Sequence, residues 1–456
     1  MAELSVSHRA ALAHVVERCP DRTLSQLGLA VATMPGEQAR ALQAMLAEET
    51  RDRARRARVM APLAPLFRPR ADGVVATIFP THVLPRLWKA ASAREPALLP
   101  MLDDNHDKNV AAVTAVASRI CIAAAGVVRD QPDIIWPPGG ESEASREAGL
   151  AELAGCCDLA PLAHRGLPSL GGWVGRPDGD QLAELRLLVR DSAEVAHDGA
   201  QRLLEILFAH LGDAALVLRL VVNSSNVAAR EAFLFDSELA VFVDRLIAAV
   251  DARVARIATF RPGGAGDPIE ALKQDICWSA EVLAELDVTI QLQPGSAWSK
   301  QARDARIRIN EKLSSLLGTV EKSVEQALPM VRVQTSGRMT RQAPRLDAPI
   351  DPAALEAATG TLALVGAVRN AASVFGCEAK RGQLVRGLTE RLTTYADQTL
   401  EAINGGEAPD EAAALVVVEM TGRFLDLLEA TDEARTVRRR AAVAGGPRTG
   451  ASSAAA

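Results

Sequence analysis

The sequence predicts an all-α fold: a multi-helix bundle or an array of helical hairpins, preceded by a proline-punctuated N-terminal helical unit. Three observations lead there. Alanine, the strongest intrinsic helix former, supplies 83 of the 456 residues. Aromatic residues make up 3% of the chain and tyrosine occurs once, so the side chains that sheets favour are thin. Over long stretches, apolar residues also recur at spacings of three and four, which places them on one helical face.

Residues 1–130 read as an irregular domain of short helices. Pro20, Pro35, Pro62, Pro65, Pro69, Pro80, Pro85, Pro96 and Pro100 each remove an amide donor and restrict the preceding residue, so long helices are interrupted there. Residues 131–180 read as a loop-rich crossover or linker, because PDIIWPPGGE, APLAHRGLPSLGGW and GRPDGD concentrate turn formers around one short helix near Glu141 to Ala154.

Residues 181–328 read as a long-helix bundle. Leu239, Val243, Leu246, Val250, Val254 and Ile257 share a face, as do Leu182, Leu185, Val189, Ser192 and Val195, then Leu203, Leu207 and Leu211, and later Ile309, Leu313, Leu316, Val320 and Val324. Within it, RPGGAGDP at 261–268 predicts a helix-to-helix turn, with Asp267 as cap and Pro268 in the first turn. Residues 329–352 hold four prolines and four arginines without periodicity and predict a linker. Residues 353–440 predict a C-terminal bundle of three helices, around 352–375, 378–403 and 410–437, separated by Gly376 and the turn NGGEAPD. The tail 441–456 carries little to bury and predicts disorder.

Composition narrows the function. Net charge is −6 and charged residues are 24% of the chain, so nothing global favours nucleic acid, and only seven of 51 basic residues are lysine. The N-terminus lacks the basic and apolar regions of a secretory leader, which predicts a cytoplasmic protein. The most apolar long segment, Val110 to Val128, carries Arg119 near its centre and reads as a buried helix rather than a membrane span. Six cysteines without repeated spacing predict core thiols rather than a disulfide framework.

The sharpest candidate for chemistry is the run Asp103, Asp104, Asn105, His106, Asp107. It matches, over five residues, the DDxxD pattern of all-α prenyl-diphosphate enzymes, whose carboxylates hold magnesium against a diphosphate. Its place before an Ala/Val-rich helix also suits a helix start, where orphan amides and the dipole favour negative charge, and capping is the expected role. A metal site would use Asp103, Asp104 and Asp107. Cys156, Cys157 and His164 share a segment, yet no CxxC or HxxxH pair accompanies them. The glycines of GGAG lack the lysine of a phosphate loop, RPDGDQ lacks the later ligands of a calcium loop, and no GxSxG elbow occurs. His197 and His210 lie on Ala/Leu-rich helices and read as satisfied structural histidines.

Two arginine concentrations remain. Arg51, Arg53, Arg55, Arg56 and Arg58 distribute charge around most of a helix, and Arg438, Arg439 and Arg440 complement a helix C-terminus. No aromatic stacking platform accompanies either, which disfavours nucleic acid. The leading expectation is a non-enzymatic interaction or scaffold protein that binds a protein partner or itself, with no cofactor. Ile134, Ile135, Trp136 and Trp173, expected in an exposed loop, are its predicted docking anchors. Two alternatives stand beside it: a metal-dependent enzyme acting on a diphosphate or phosphorylated substrate, and a weak binder of RNA or acidic surfaces through the arginine-rich segments.

Overall fold

Helix follows alanine and leucine through almost the whole chain. The computed structural model describes residues 6–103, 109–225, 230–261, 269–334 and 340–444, with side-chain surroundings from residue 11 onward. Helix accounts for 77% of the residues, and the only strands among the described residues form one hairpin, so the fold is an all-α helical array. The chain divides into two units, 1–242 and 243–456, and the division falls inside the stretch 181–328 that the sequence presents as one bundle.

The first unit opens with α1 (Val6–Arg18), α2 (Asp21–Ala32) and α3 (Glu37–Val59). Pro20 separates the first two, and Gly36, at φ 114, turns the chain into the third. Val16, Leu24, Val31 and Leu46 form their small common core. Short 3-10 turns at Ala64–Phe67 and Pro96–Leu102 flank α4 (Val83–Arg94). The proline-punctuated texture is therefore real, although α3 runs for 23 residues.

The centre of this unit is the pair α5 (Val110–Asp130) and α7 (Glu143–Gly166), linked through the single turn α6 (Pro132–Ile135). Small buried residues line both: Ala117, Cys121, Ala124 and Ala125 on one, Ala154, Gly155, Cys156, Cys157, Ala160 and Ala163 on the other. Such surfaces let helices approach closely and pack densely. By length and composition α5 is also apolar enough to cross a membrane. The unit continues with α8 (Leu170–Val174), α9 (Gly179–Val195), α10 (Gly199–Ala209), α11 (Ala215–Ser224) and α12 (Glu231–Phe235).

The expected loop at 131–180 is corrected here. Helix α7 spans 24 residues and runs through Pro161, and Ser142 caps it by accepting the Ser145 amide at 3.2 Å. Proline inside a helix costs about 3 kcal/mol, and the buried face against α5 offsets that cost. The expected helix start at Asp178 and Asp180 holds: Asp178 accepts the Gln181 amide at 2.9 Å and Gln181 returns the bond at 3.1 Å, a reciprocal capping box.

Helix α13 (Ala240–Thr259) begins across the division and buries Val243, Leu246, Val250, Val254 and Ile257, the face read from their spacing. In the second unit follow α14 (Ile269–Thr289) and the 31-residue α15 (Ala297–Ala327), capped by Ser296, with Ile309, Leu313, Leu316, Val320 and Val324 buried. The turn expected at 261–268 lies largely outside the described residues, as does most of the tail 441–456. The expected linker at 329–352 instead contains β1 (Met330–Gln334) and β2 (Thr340–Pro344), antiparallel with Met330 opposite Pro344 and Gln334 opposite Thr340. Its strands are too short and too exposed to carry an apolar alternation.

The remaining helices are α16 (Pro352–Ala367), α17 (Arg369–Val374), α18 (Glu378–Asn404), α19 (Glu411–Leu427) and α20 (Thr431–Ala444). Asp351 and Asp410 cap α16 and α19. The single helix expected over 410–437 breaks at Glu429, which sits at φ 65. Left-handed backbone costs a non-glycine residue about 1–2 kcal/mol; here it lets the Glu429 and Ala430 amides donate to the Asp426 and Leu425 carbonyls at 2.9 and 3.0 Å, while the Glu429 carboxylate pairs with Arg369 at 3.0 Å and Arg381 at 3.8 Å.

Candidate functional site

The arginine-rich stretch on α3 is mostly structural. Arg53 reaches back to the C-terminal end of α1, where its guanidinium donates to the carbonyls of Val16, Glu17 and Cys19 at 3.1, 3.1 and 2.8 Å. It also pairs with Glu49 and Asp21, each at 2.6 Å. Burial works against this cation, but the bonds to Glu49 and Asp21 outweigh it and hold its pKa above the ordinary value. Arg53 thus caps α1 and complements its dipole. Arg55 pairs with Asp103, and Arg58 donates to the Leu102 carbonyl. Arg51 is exposed.

The expected cap role of Asp103 is corrected. Helix α5 starts at Val110 with Asn109 before it and no side-chain cap, whereas Asp103 ends the preceding 3-10 turn and binds Arg55. That hydrogen bond lowers the Asp103 pKa, with burial opposing it. Asp104 and Asp107 lie outside the described residues. Among the described residues, no group of three histidine, cysteine or acidic side chains is placed to hold a metal ion.

The docking anchors are also corrected. Trp136 is 6% exposed and Trp173 and Ile135 fully buried; only Ile134 is exposed. Trp136 packs its ring edge against Gly149 and donates to Glu141, while Trp173 fits against Gly166. Glycine on α7 is what lets both rings lie so close, a relation the loop reading concealed. At the other end, Arg438 pairs with Asp426 and Arg440 with Asp397, leaving Arg439 exposed.

Buried chemistry is likewise committed to structure. His164 and His210 place Nε2 2.9 Å from the carbonyls of Val59 and Pro62, and burial lowers both pKa values against those bonds. Both rings are therefore neutral donors that fasten α7 and the end of α10 to the last residue of α3 and the segment just after it. Burial pushes the Cys121 thiol up to about 12 and raises Cys156 and Cys157 as well, the opposite of an activated nucleophile.

A different set of residues forms an open site. Three helical stripes converge on a cleft of about 870 Å³: His14, Glu17 and Arg18 from α1; Glu49, Asp52, Arg53 and Arg56 from α3; His82, Pro85, Arg86, Lys89 and Ser92 from the start and body of α4. Each stripe advances by steps of three and four, so one face of each helix turns inward. Five cations meet three carboxylates. All three carboxylates are engaged: Glu17 with Lys89 at 3.0 Å, Glu49 with Arg53 at 2.6 Å, and Asp52 as acceptor from the Trp88 indole at 2.8 Å. The side chains of Arg18, Arg56, Arg86, His14 and His82 make no hydrogen bond or ion pair among the described residues. Arg56 belongs to the cluster read from the sequence; the other four were legible only as i, i+4 pairs, His14 with Arg18 and His82 with Arg86.

This arrangement can bind anions. Each of these guanidinium groups presents a planar fork of donors matched to a carboxylate or phosphate, and although Asp52 keeps its charge beside the neutral indole, the five cations of the lining outnumber its three carboxylates. No protein-family model, no curated protein and no solved structure matches the chain.

Proposed function

We propose that this chain is a non-enzymatic helical interaction protein that engages a protein partner through its N-terminal unit. One observation carries the reading: among the described side chains, helices α1 to α3, with the turn after α2, leave four large apolar residues at the surface beside the five they bury. Val16, Leu24, Val31, Leu46 and Val59 are inside, while Val15, Leu27, Leu29 and Met34 are outside, with Leu29 74% and Met34 61% exposed. Apolar area left in water is recovered on association at roughly 25 cal/mol per Å², so these helices gain from being covered.

The supporting chemistry agrees. The buried thiols, the two bridging histidines and Asp103 are all consumed in packing or bonding, as a framework requires. The test is affinity purification of the full chain from its native cell with crosslinking and mass spectrometry, beside a Leu29→Ser/Met34→Ser variant. Recovery of one defined partner with the parent and its loss with the folded variant supports the proposal. A parent recovered alone, or a partner retained equally by the variant, overturns it.

A further inference from the structure

We infer that the cleft between α1, α3 and α4 receives an acidic segment of the protein partner, its carboxylates gripped by Arg18, Arg56 and Arg86. The inference deepens the interaction reading and rests on it. Three guanidinium groups with no hydrogen-bond or ion-pair partner among the described residues stand on three different helices around one space; Glu17 and Glu49 beside them pair with Lys89 and Arg53, Asp52 accepts the neutral Trp88 indole, and five cations outnumber three carboxylates. The unspent charge in the cleft is therefore positive, although the whole chain carries −6. A ligand with several carboxylates spaced along an extended backbone satisfies all three forks at once.

Size and lining select among anions. A volume of about 870 Å³ exceeds what one inorganic ion fills and suits several side chains of a peptide. Among the described lining residues Trp88 alone is a phenylalanine, tyrosine or tryptophan, and it is buried with its indole nitrogen committed to Asp52, so beside the small imidazoles of His14 and His82 no broad ring offers the stacking that single-stranded RNA uses. Arginine suits this work because its fork binds carboxylates bidentately while remaining charged at any physiological pH.

The experiment uses the full chain and a fluorescently labelled oligoglutamate peptide, followed by anisotropy at low and physiological salt. Parent protein should bind the peptide, more weakly as salt rises. The Arg18→Gln/Arg56→Gln/Arg86→Gln variant should keep its circular dichroism and bind about tenfold or more weakly. A control of equal charge change, Arg22→Gln/Arg190→Gln/Arg439→Gln, removes exposed arginines outside the cleft and should lose less than about threefold. Absence of parent binding, or equal loss in both variants, overturns the inference. So does displacement of the peptide by equimolar inorganic phosphate, which marks a small-anion site, or tighter binding of oligouridylate, which marks a nucleic-acid site. If the partner from the native cell is still captured by the cleft variant, the cleft assignment fails while the interaction reading stands. If the parent captures none, the interaction reading itself fails.

Discussion

Replacing glycine by alanine at two positions of the second unit should change stability in opposite directions. Gly318 lies on the exposed face of α15, and a Cβ built there meets nothing within 4 Å. Gly366 lies near the end of α16 where it crosses α19, and its Cβ would stand 2.5 Å from the Leu427 carbonyl oxygen. Alanine removes backbone freedom from the unfolded chain and favours helix by about 0.5–1 kcal/mol, so Gly318→Ala should stabilise by that amount. At Gly366 the same gain meets a backbone atom that no rotamer change can move. The helices must separate by most of an ångström, and overpacking of this kind costs about 1–3 kcal/mol, leaving Gly366→Ala destabilised by about 1–2 kcal/mol. Urea titrations followed by far-ultraviolet circular dichroism read the two midpoints directly, and unchanged slopes show that the denatured state is not the cause. Equal midpoints for the two variants, or a stabilised Gly366→Ala, would refute the view that this array depends on close approach at small residues.

Three further outcomes follow from the same geometry. Trp173→Ala should cost about 3 kcal/mol or more by opening a cavity against Gly166, and a cost below about 1 kcal/mol would return Trp173 to the surface. The neutral, half-buried His164 and His210 have folded pKa values below the ordinary 6.5, so the unfolded chain takes up their protons first. The stability they confer is complete above that value and falls as pH drops through the folded values; His164→Gln/His210→Gln should flatten this acid limb in urea midpoints measured between about pH 7 and 5. Asp103→Asn removes only the exposed partner of Arg55, so it should lower stability by less than about 1 kcal/mol, and magnesium should leave the melting temperature of parent and variant unchanged; a magnesium shift lost in the variant would restore the diphosphate-enzyme reading.

The sequence was legible where one helix face explains its own letters. Leu246, Val250 and Val254 are buried because their spacing leaves no other face to bury, and Asp178 caps α9 through a neighbour three residues away. It was opaque where a contact comes from elsewhere in the chain. Pro161 argues locally for a break, yet α7 continues because α5 covers its small-residue face; the hairpin β1–β2 has too few residues for a pattern; and Glu429 turns left-handed without glycine, closing α19 through backbone bonds while Arg369 and Arg381 reach its carboxylate.

The arginines show the same limit, and it is what made the cleft hard to see. Arg53, Arg55 and Arg56 are near-identical letters on one helix, and a solvated helix end describes all three equally well. Their fates diverge because Asp21 lies 32 residues before Arg53 and Asp103 lies 48 residues after Arg55, while no carboxylate among the described residues comes within ion-pair distance of Arg56. A cation spent on a neighbour fastens helices; one left over beside other such cations, across three helices and in a common space, is available to a ligand. Charge counted along the chain sums these two kinds together and so reads as near-neutral or acidic. Only after the internal pairs are subtracted do Arg18, Arg56 and Arg86 stand out as a set, and it is on that remainder, rather than on the density of the clusters, that the proposed acidic-segment site rests.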